Sequence, residues 1–515
     1  MNLRDALLQG LADLPGTRTF HIHVLVSSPR KHSNLYPFAS PRPKTFLQDI
    51  LILLSEQSTP DAPRVFVSAI EASLYHIPTT SSAVLYVSKV DSTGQAKSPS
   101  PTQALVRALL TYYVDPTTRP LPVAHLWVHL FARAQSQYLF PNSAEFPGKR
   151  PLSDIQLCAW WKRQLSAVAK DVSTRAGQAT RIRLFYLLPG LGELEASHAL
   201  DRVSTSTATS ATSVPWAYGH PYGQTEVPLP CCPISRGEKP SHIGYVIPWF
   251  DDDPKARFLD EIAYTTDAEG VRSPERKRPR THRAAQRAEE DTESGSEKRE
   301  GPAEQTSKAL RKVSIEEFWE RMSFRQECIA GAVTGFFVMA TSSSPTPTVP
   351  CRSPLIPLPG QVSSQMMKRV LTSLMTGHEF PSVERAVWST RVLEEAIKGL
   401  CDGLKIGQTG GAARAQSPED SQRRTPELNG GEERLNAPET PPPRLIDKRR
   451  VMGDVSPNPF PEPVASGETY DSYIYGSVTV RNAEEPRKVS VDTGGGDGRT
   501  AITVLTARKK KRGKP

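Results

Sequence analysis

Cysteine is scarce in this 515-residue chain, and it is unpatterned. The six are Cys158, Cys231, Cys232, Cys328, Cys351 and Cys401. None forms CxxC, and no histidine near them stands at zinc-ligand spacing, which argues against a zinc module or a disulfide framework. Reduced thiols in a cytosolic or nuclear protein are expected. Long apolar runs are missing as well. The longest, 330–340, is too short to span a bilayer, and the opening MNLRDALLQG has no signal-peptide apolar core. No GxxxxGKS/T stretch exists to make a nucleotide P-loop, and there is no internal repeat. Hydrophobic residues make up only 37% and prolines number 47, so much of the chain is not packed core.

What is there is unevenly distributed. The net charge of +9 comes from 64 basic and 55 acidic residues, a modest excess for the length. It permits contact with nucleic acid or acidic proteins without requiring it. Residues 267–305 are charged and nearly devoid of apolar side chains, and 407–444 are rich in Gly, Pro and charge; both read as disordered. The first contains RKRPRTHR (276–283), a solvated linker or a nuclear-import or nucleic-acid segment. The expected organisation is a first folded segment 1–266, a charged insertion 267–312, a helical second segment 313–406, a linker 407–465 and a tail 466–515.

Within the first segment, residues 1–14 read as an amphipathic helix, and Phe20, Ile22, Val24 and Val26 alternate as a strand does. Residues 51–54, 64–77 and 83–90 are further strands, the last two pairing across 78–82. Residues 91–101 (DSTGQAKSPSP) are loop chemistry ahead of a helix at 102–113. Such a junction either holds an anion with backbone N–H groups and the helix dipole or is an ordinary solvated loop. A helix from Ser153 to about 172 carries the pair Trp160–Trp161, whose side chains diverge by about 100°. Either one faces a cleft or both are core. In the second segment Ser314 and Glu317 form a capping box for a helix expected to pass Cys328, and 365–376 and 383–404 are two more helices.

The stretch 245–258 (YVIPWFDDDPKARF) holds the most concentrated chemistry. Two aromatics precede Asp251, Asp252 and Asp253; Asp253 suits an N-cap and Pro254 the first helical position. The plain reading is one capping Asp and two that complement the helix dipole in solvent. The sharper one is a carboxylate site for an amine, walled by Trp249 and Phe250.

Several segments together resemble the fungal histone acetyltransferases that act with histone chaperones on newly made histone H3. They are VSKVDSTG (87–94), SQYLFP (136–141), the Trp pair, IPWFDDDPKARF (247–258), VSIEEFWERMSFRQE (313–327) and AITVLTARKKKR (501–512). The resemblance implies an α/β fold: one composite acetyltransferase domain, a central mixed β-sheet surrounded by helices, with long disordered insertions and a basic tail. The shape would be like that of the metazoan CREB-binding-protein acetyltransferases. It implies acetyl-CoA as cofactor, no metal, a nuclear location and a role in replication-coupled nucleosome assembly and genome stability. The implied cofactor contacts are Val90, Asp91 and Ser92, then Lys97, Ser98, Pro99, Ser100 and Pro101, and further Phe131, Gln135, Arg150, Pro151, Leu152 and Trp160. Asp253 is implied as catalytic with Asp252 beside it, Trp161 as lining the substrate channel, and Lys255 as an autoacetylation site. Implied partners are histone H3–H4 and chaperones of the nucleosome-assembly-protein and anti-silencing-function types. The tail strand TAITVL (500–505) would add to a chaperone sheet and RKKKR (508–512) meet an acidic surface. No membrane partner and at most weak nucleic-acid contact are expected. A non-catalytic chromatin adaptor that keeps the fold is the competing reading.

Overall fold

The structure is a computed structural model that describes residues 1–176, 180–203, 214–231, 242–264, 302–326, 328, 332–344, 353–402, 458–461, 463 and 465–483. The basic cluster 276–283, the block 407–444 and the tail motifs 500–505 and 508–512 lie outside the described residues, as do Cys232 and Cys351.

Among the described residues one sheet of ten strands organises the chain. In chain order they are β1 (Gly16–Val26), β2 (Arg30–His32), β3 (Thr45–Gln57), β4 (Val65–Ile77), β5 (Ser82–Ser92), β6 (His125–Ala132), β7 (Thr180–Leu187), β8 (Trp216–Tyr218), β9 (Gly335–Ser343) and β10 (Tyr475–Asn482). The spatial order is β10-β1-β3-β4-β5-β6-β9-β7-β8, with β2 on β3. Pairing is antiparallel except for β5–β6 and β7–β8. The sheet is therefore mixed.

One face is covered by α1 (Leu3–Ala12), α2 (Thr102–Val114), α3 (Asp154–Ala176) and α4 (Glu193–Arg202). Leu7 and Leu11 of α1, Leu105 and Leu109 of α2 and Leu165 and Val168 of α3 meet Ile22, Ile52, Ile70 and Leu85 there. The other face carries α5 (Pro254–Tyr264), α6 (Pro302–Arg311) and α7 (Ile315–Met322) at one end. At the other end lie α8 (Ser364–Gly377) and α9 (Val383–Asp402), packed through Val370, Leu374, Leu393 and Ile397 onto Leu51, Leu53 and Phe66. Burial on both faces explains why β3 runs thirteen residues where alternation suggests four: a strand covered on both sides has no alternation to read.

Three expectations are corrected. The second segment is not purely helical, since GFFVMATSS forms β9 between β6 and β7 inside the sheet. The charged insertion gives way to helix α6 at Pro302. Helix α7 keeps its Ser314 cap on the Glu317 N–H but stops at Met322, short of Cys328. The segment 470–480, expected as a strand or an ordered tail, supplies β10, which pairs with β1 through eight residues and closes one sheet edge.

Candidate active site

The parallel pair β5–β6 is in register only from Ser82↔His125 to Tyr86↔His129. Beyond that rung the strands part. β5 stays with β4 as far as Ser68↔Ser92, and β6 stays with β9 as far as Ala132↔Gly335. The register shift between Glu71 and Ala72, opposite Ser88, bends β5 at the parting point, where Ser88 Oγ bonds the Glu71 carbonyl at 2.9 Å. Two strands that split leave backbone N–H and C=O groups facing a gap, which is where a ligand with an amide chain can be held.

A cleft of about 420 Å³ fills that split. Val87, Val90, Asp91 and Ser92 form one wall, Phe131, Arg133 and Gln135 the other, and Trp160 and Trp161 of α3 the floor. Pro99, Ser100, Arg150, Pro151 and Leu152 close the ends. Of the residues implied as cofactor contacts, Lys97, Ser98 and Pro101 do not line it. Trp161 is both core and cleft wall, and it meets half-buried Trp160 edge-on at 4.8 Å.

The carboxylate of Asp91 is spent on structure. Oδ2 accepts the N–H groups of Tyr138, Leu139 and Phe140 at 2.8–3.1 Å, and Oδ1 accepts Ser92 N–H and Lys149 Nζ at 2.8 and 2.9 Å. It thus pins the SQYLFP loop against β5, so any ligand contact from Asp91 falls to its backbone. Lys149, absent from the sequence reading, also donates to Ser143 Oγ at 2.7 Å. Gly94 lets this happen: at φ +80° a Cβ there would sit 2.5 Å from the Lys149 Cα. Replacing Asp91 with Ala is expected to orphan the Tyr138, Leu139 and Phe140 backbone donors of the loop, at roughly 1–3 kcal/mol each if they stay dry. Amide exchange at 138–140 then speeds up at least ~10-fold; unchanged protection would refute the pinning role.

The loop 97–101 is held from behind. Arg18, 2% exposed, donates to the Lys97 and Pro99 carbonyls at 2.7 and 2.8 Å and to Glu56 at 3.3 Å, while Glu56 accepts the Lys97 N–H at 3.2 Å. Burial pushes the Glu56 carboxyl up from its ordinary range, against the pull of Arg18. Neither residue carries a local sequence signal, because their partners lie about eighty and forty positions away.

The acidic stretch lies on the α5 face of the sheet, beside the last paired rung. A 3₁₀ turn (Ile243–Tyr245) leads toward it, and the acids themselves form a tight turn that opens α5. Trp249 N–H bonds the Leu35 carbonyl at 2.8 Å and its ring N–H bonds Asp260 at 3.0 Å. Phe250 is buried and stacks on Tyr86 at 4.0 Å with 1° between the planes. The three acids differ sharply. Asp251 is exposed, Asp252 half-buried and Asp253 sealed. Asp252 accepts Tyr86 Oη at 2.6 Å. Asp253 caps α5 by accepting the Lys255 N–H at 2.8 Å, and it forms an ion pair with Lys255 Nζ. Burial raises the Asp253 carboxyl, and Lys255 pulls it back. Lys255 is 3% exposed and sits 4.6 Å over the Phe336 ring. Phe131 of the cleft wall, its ring 6.4 Å from that of Phe336, links this ion pair to the cleft.

Comparison with known proteins bears on this geometry. Residues 117–396 match the family described as Histone acetyltransferase KAT11-type domain. The chain belongs to that family. It is 29% identical over 303 residues to histone acetyltransferase rtt109 of Aspergillus flavus, covering 54% of this chain and 45% of that protein. It is 24% identical over 300 residues to histone acetyltransferase rtt109 of Schizosaccharomyces pombe, covering 56% and 58%. The chain thus spans about half the length of these curated relatives. The crystal structure of Rtt109 from Aspergillus fumigatus superposes with a TM-score of 0.56 at 25% identity, covering 76% of this chain and 96% of that one. A mixed sheet ringed by helices is therefore the family fold, as the sequence motifs implied. Among the described residues no His/Cys/Asp/Glu cluster could hold a metal, and no helix is long and apolar enough to cross a membrane.

Proposed function

We propose that the protein is a histone lysine N-acetyltransferase that uses acetyl-CoA and modifies newly made histone H3 with the help of histone chaperones in the nucleus. The observation that carries this reading is the cleft in the β5–β6 split, in a chain of the KAT11-type family. Its walls suit the cofactor. Val87, Val90, Phe131 and Trp160 offer apolar surface to a pantetheine arm, and Arg133 and Arg150 offer positive charge to phosphates. The acids on the other side of the split suit a cationic substrate side chain.

The chemistry asks for proximity and a lost proton. A lysine amine, with its ordinary pKa near ~10.4, attacks the thioester carbonyl only when neutral. Holding amine and thioester in one cleft supplies the entropic part of the acceleration. Asp252 and Asp253 are the candidate carboxylates, with Trp161 lining the channel. Lys255, the candidate autoacetylation site, must leave its ion pair with Asp253 before it can react.

Labelled acetyl-CoA, histone H3–H4 and a histone chaperone supply the test, with wild type beside Trp160→Ala. Expected are wild-type transfer and, in the variant, an acetyl-CoA KM raised ~10-fold or more from lost stacking area. Circular dichroism reports whether the variant folds. Acetyl-CoA binding by wild type without transfer would favour the chromatin-adaptor reading. Absent binding would end both.

A further inference from the structure

We infer that Asp252, held in place by Tyr86, is the carboxylate that takes the proton from the incoming amine, and that Asp253 serves the fold. The inference rests on the acetyltransferase reading and deepens it. Asp253 has no free face: it is fully buried, its Oδ1 is committed to a helix N–H and its Oδ2 to an ammonium. A base must reach the proton it removes within about 2.6–3.2 Å or through one water, and a sealed, ion-paired group does neither. Asp252 meets the requirement. It is half-buried, one oxygen is fixed by Tyr86 Oη, and the other has no protein partner among the described residues.

Tyr86 places that carboxylate. It forms the last β5–β6 rung with His129, one residue before Val87 enters the cleft wall. Successive side chains on a strand face opposite sides, so Val87 joins the α3 face and Tyr86 the α5 face. The β5–β6 pairing ends at Tyr86, so the split begins beside both residues. In the inferred arrangement the cofactor lies on the Val87 side of that gap and the lysine reaches it from the Asp252 side. Tyr86 cannot swing, because its ring is stacked flat on buried Phe250. A tyrosine whose proton is held this firmly also stays a donor: burial and the nearby Asp253 and Asp252 raise its phenol well above the ordinary value.

The step balances. The lysine arrives as an ammonium and gives one proton to the free oxygen of Asp252. The neutral nitrogen attacks the thioester carbonyl; the C–N bond forms and the C–S bond breaks. The second proton passes from nitrogen to the departing sulfur, leaving the amide and a thiol. Asp252 then returns its proton to solvent.

The test is a double-mutant cycle on the full chain with H3–H4, chaperone and saturating acetyl-CoA. Tyr86→Phe keeps the stacking and Asp252→Asn keeps the shape. Expected are a kcat loss of ~100-fold or more for Asp252→Asn, the general-base range, and about 10-fold for Tyr86→Phe. The double variant should be no slower than Asp252→Asn, because Tyr86 acts through that carboxylate. Acetyl-CoA affinity by calorimetry should stay the same in all. Added formate should restore part of the rate to Asp252→Ala, which a packing role would not allow. Losses that multiply in the double variant, or wild-type kcat in Asp252→Asn, overturn the inference alone. A wild type that binds acetyl-CoA and transfers nothing overturns the acetyltransferase reading with it.

Discussion

Asp253→Ala is expected to cost the folded state about 3–5 kcal/mol, because it strands a buried ammonium. Lys255 is 3% exposed, and its charge is matched by Asp253 and by the face of Phe336. The ring contributes ~1–2 kcal/mol in such dry settings, which is too little to replace a carboxylate. The same substitution removes the cap on α5, whose Phe258 and Leu259 pack against Phe318 and Trp319 of α7. The loss of a cap adds about 1 kcal/mol. Denaturant unfolding at neutral pH measures the total. Lys255→Met added to Asp253→Ala should recover most of the charge term and leave the cap term, since apolar replacement of a whole buried pair is often neutral. A single variant as stable as wild type would show that water reaches the pair. If Asp253 is instead the proton acceptor, the double variant stays inactive while Asp252→Asn keeps its rate.

What the sequence made legible follows from how local each feature is. The Asp253 cap, the Ser314 cap and the α2 and α3 helices are written in adjacent residues, and the structure has them. The antiparallel β4–β5 pair was legible from two apolar runs and one short turn. Strand β9 was not, because its first six residues, GFFVMA, read as a continuous apolar run whose neighbours β6 and β7 lie about 200 and 155 positions away. The cleft wall was named largely through motif resemblance, since no composition rule marks Phe131 or Pro151. The supports behind that wall stayed hidden. Arg18, Glu56 and Lys149 look like solvated charges in sequence, and only the folded sheet brings them to their partners. Tyr86 was hidden for another reason: it sits in VLYVSKV as one more β-prone aromatic, and its link to Asp252 crosses 166 residues.

Acid should loosen this fold through its histidines. Burial lowers His23 from 6.5 to about 3, and His21 and His242 to about 4, and drives His129 well below its ordinary value. An unfolded chain protonates these rings near 6.5, while the folded one resists until far lower. The stability they provide is complete above about pH 6.5 and is lost as pH falls toward their folded values, at about 1.4 kcal/mol per pH unit for each ring. The raised carboxyls of Asp253, Glu56 and Glu394 act in the opposite sense, since the folded state accepts their protons first. That offset sets in at their raised folded values, above the ordinary carboxylate range, so it works against the histidine loss that begins at about pH 6.5. The first element to go should be the sheet edge. His21 bonds Tyr475 at 2.9 Å and His23 bonds Tyr470 at 3.0 Å, and these contacts tie β10 and the turn before it to β1. Protonating His23 puts a cation in a site with 0% exposure, where its Nδ1 already lacks a partner. Hydrogen exchange across the pH range should therefore show β10 amides losing protection ahead of those in β3–β5. His23→Gln, which can still reach Tyr470, should take about one proton off the pH dependence of unfolding. An edge strand that melts with the centre of the sheet at every pH would show that these rings do not set the order of loss.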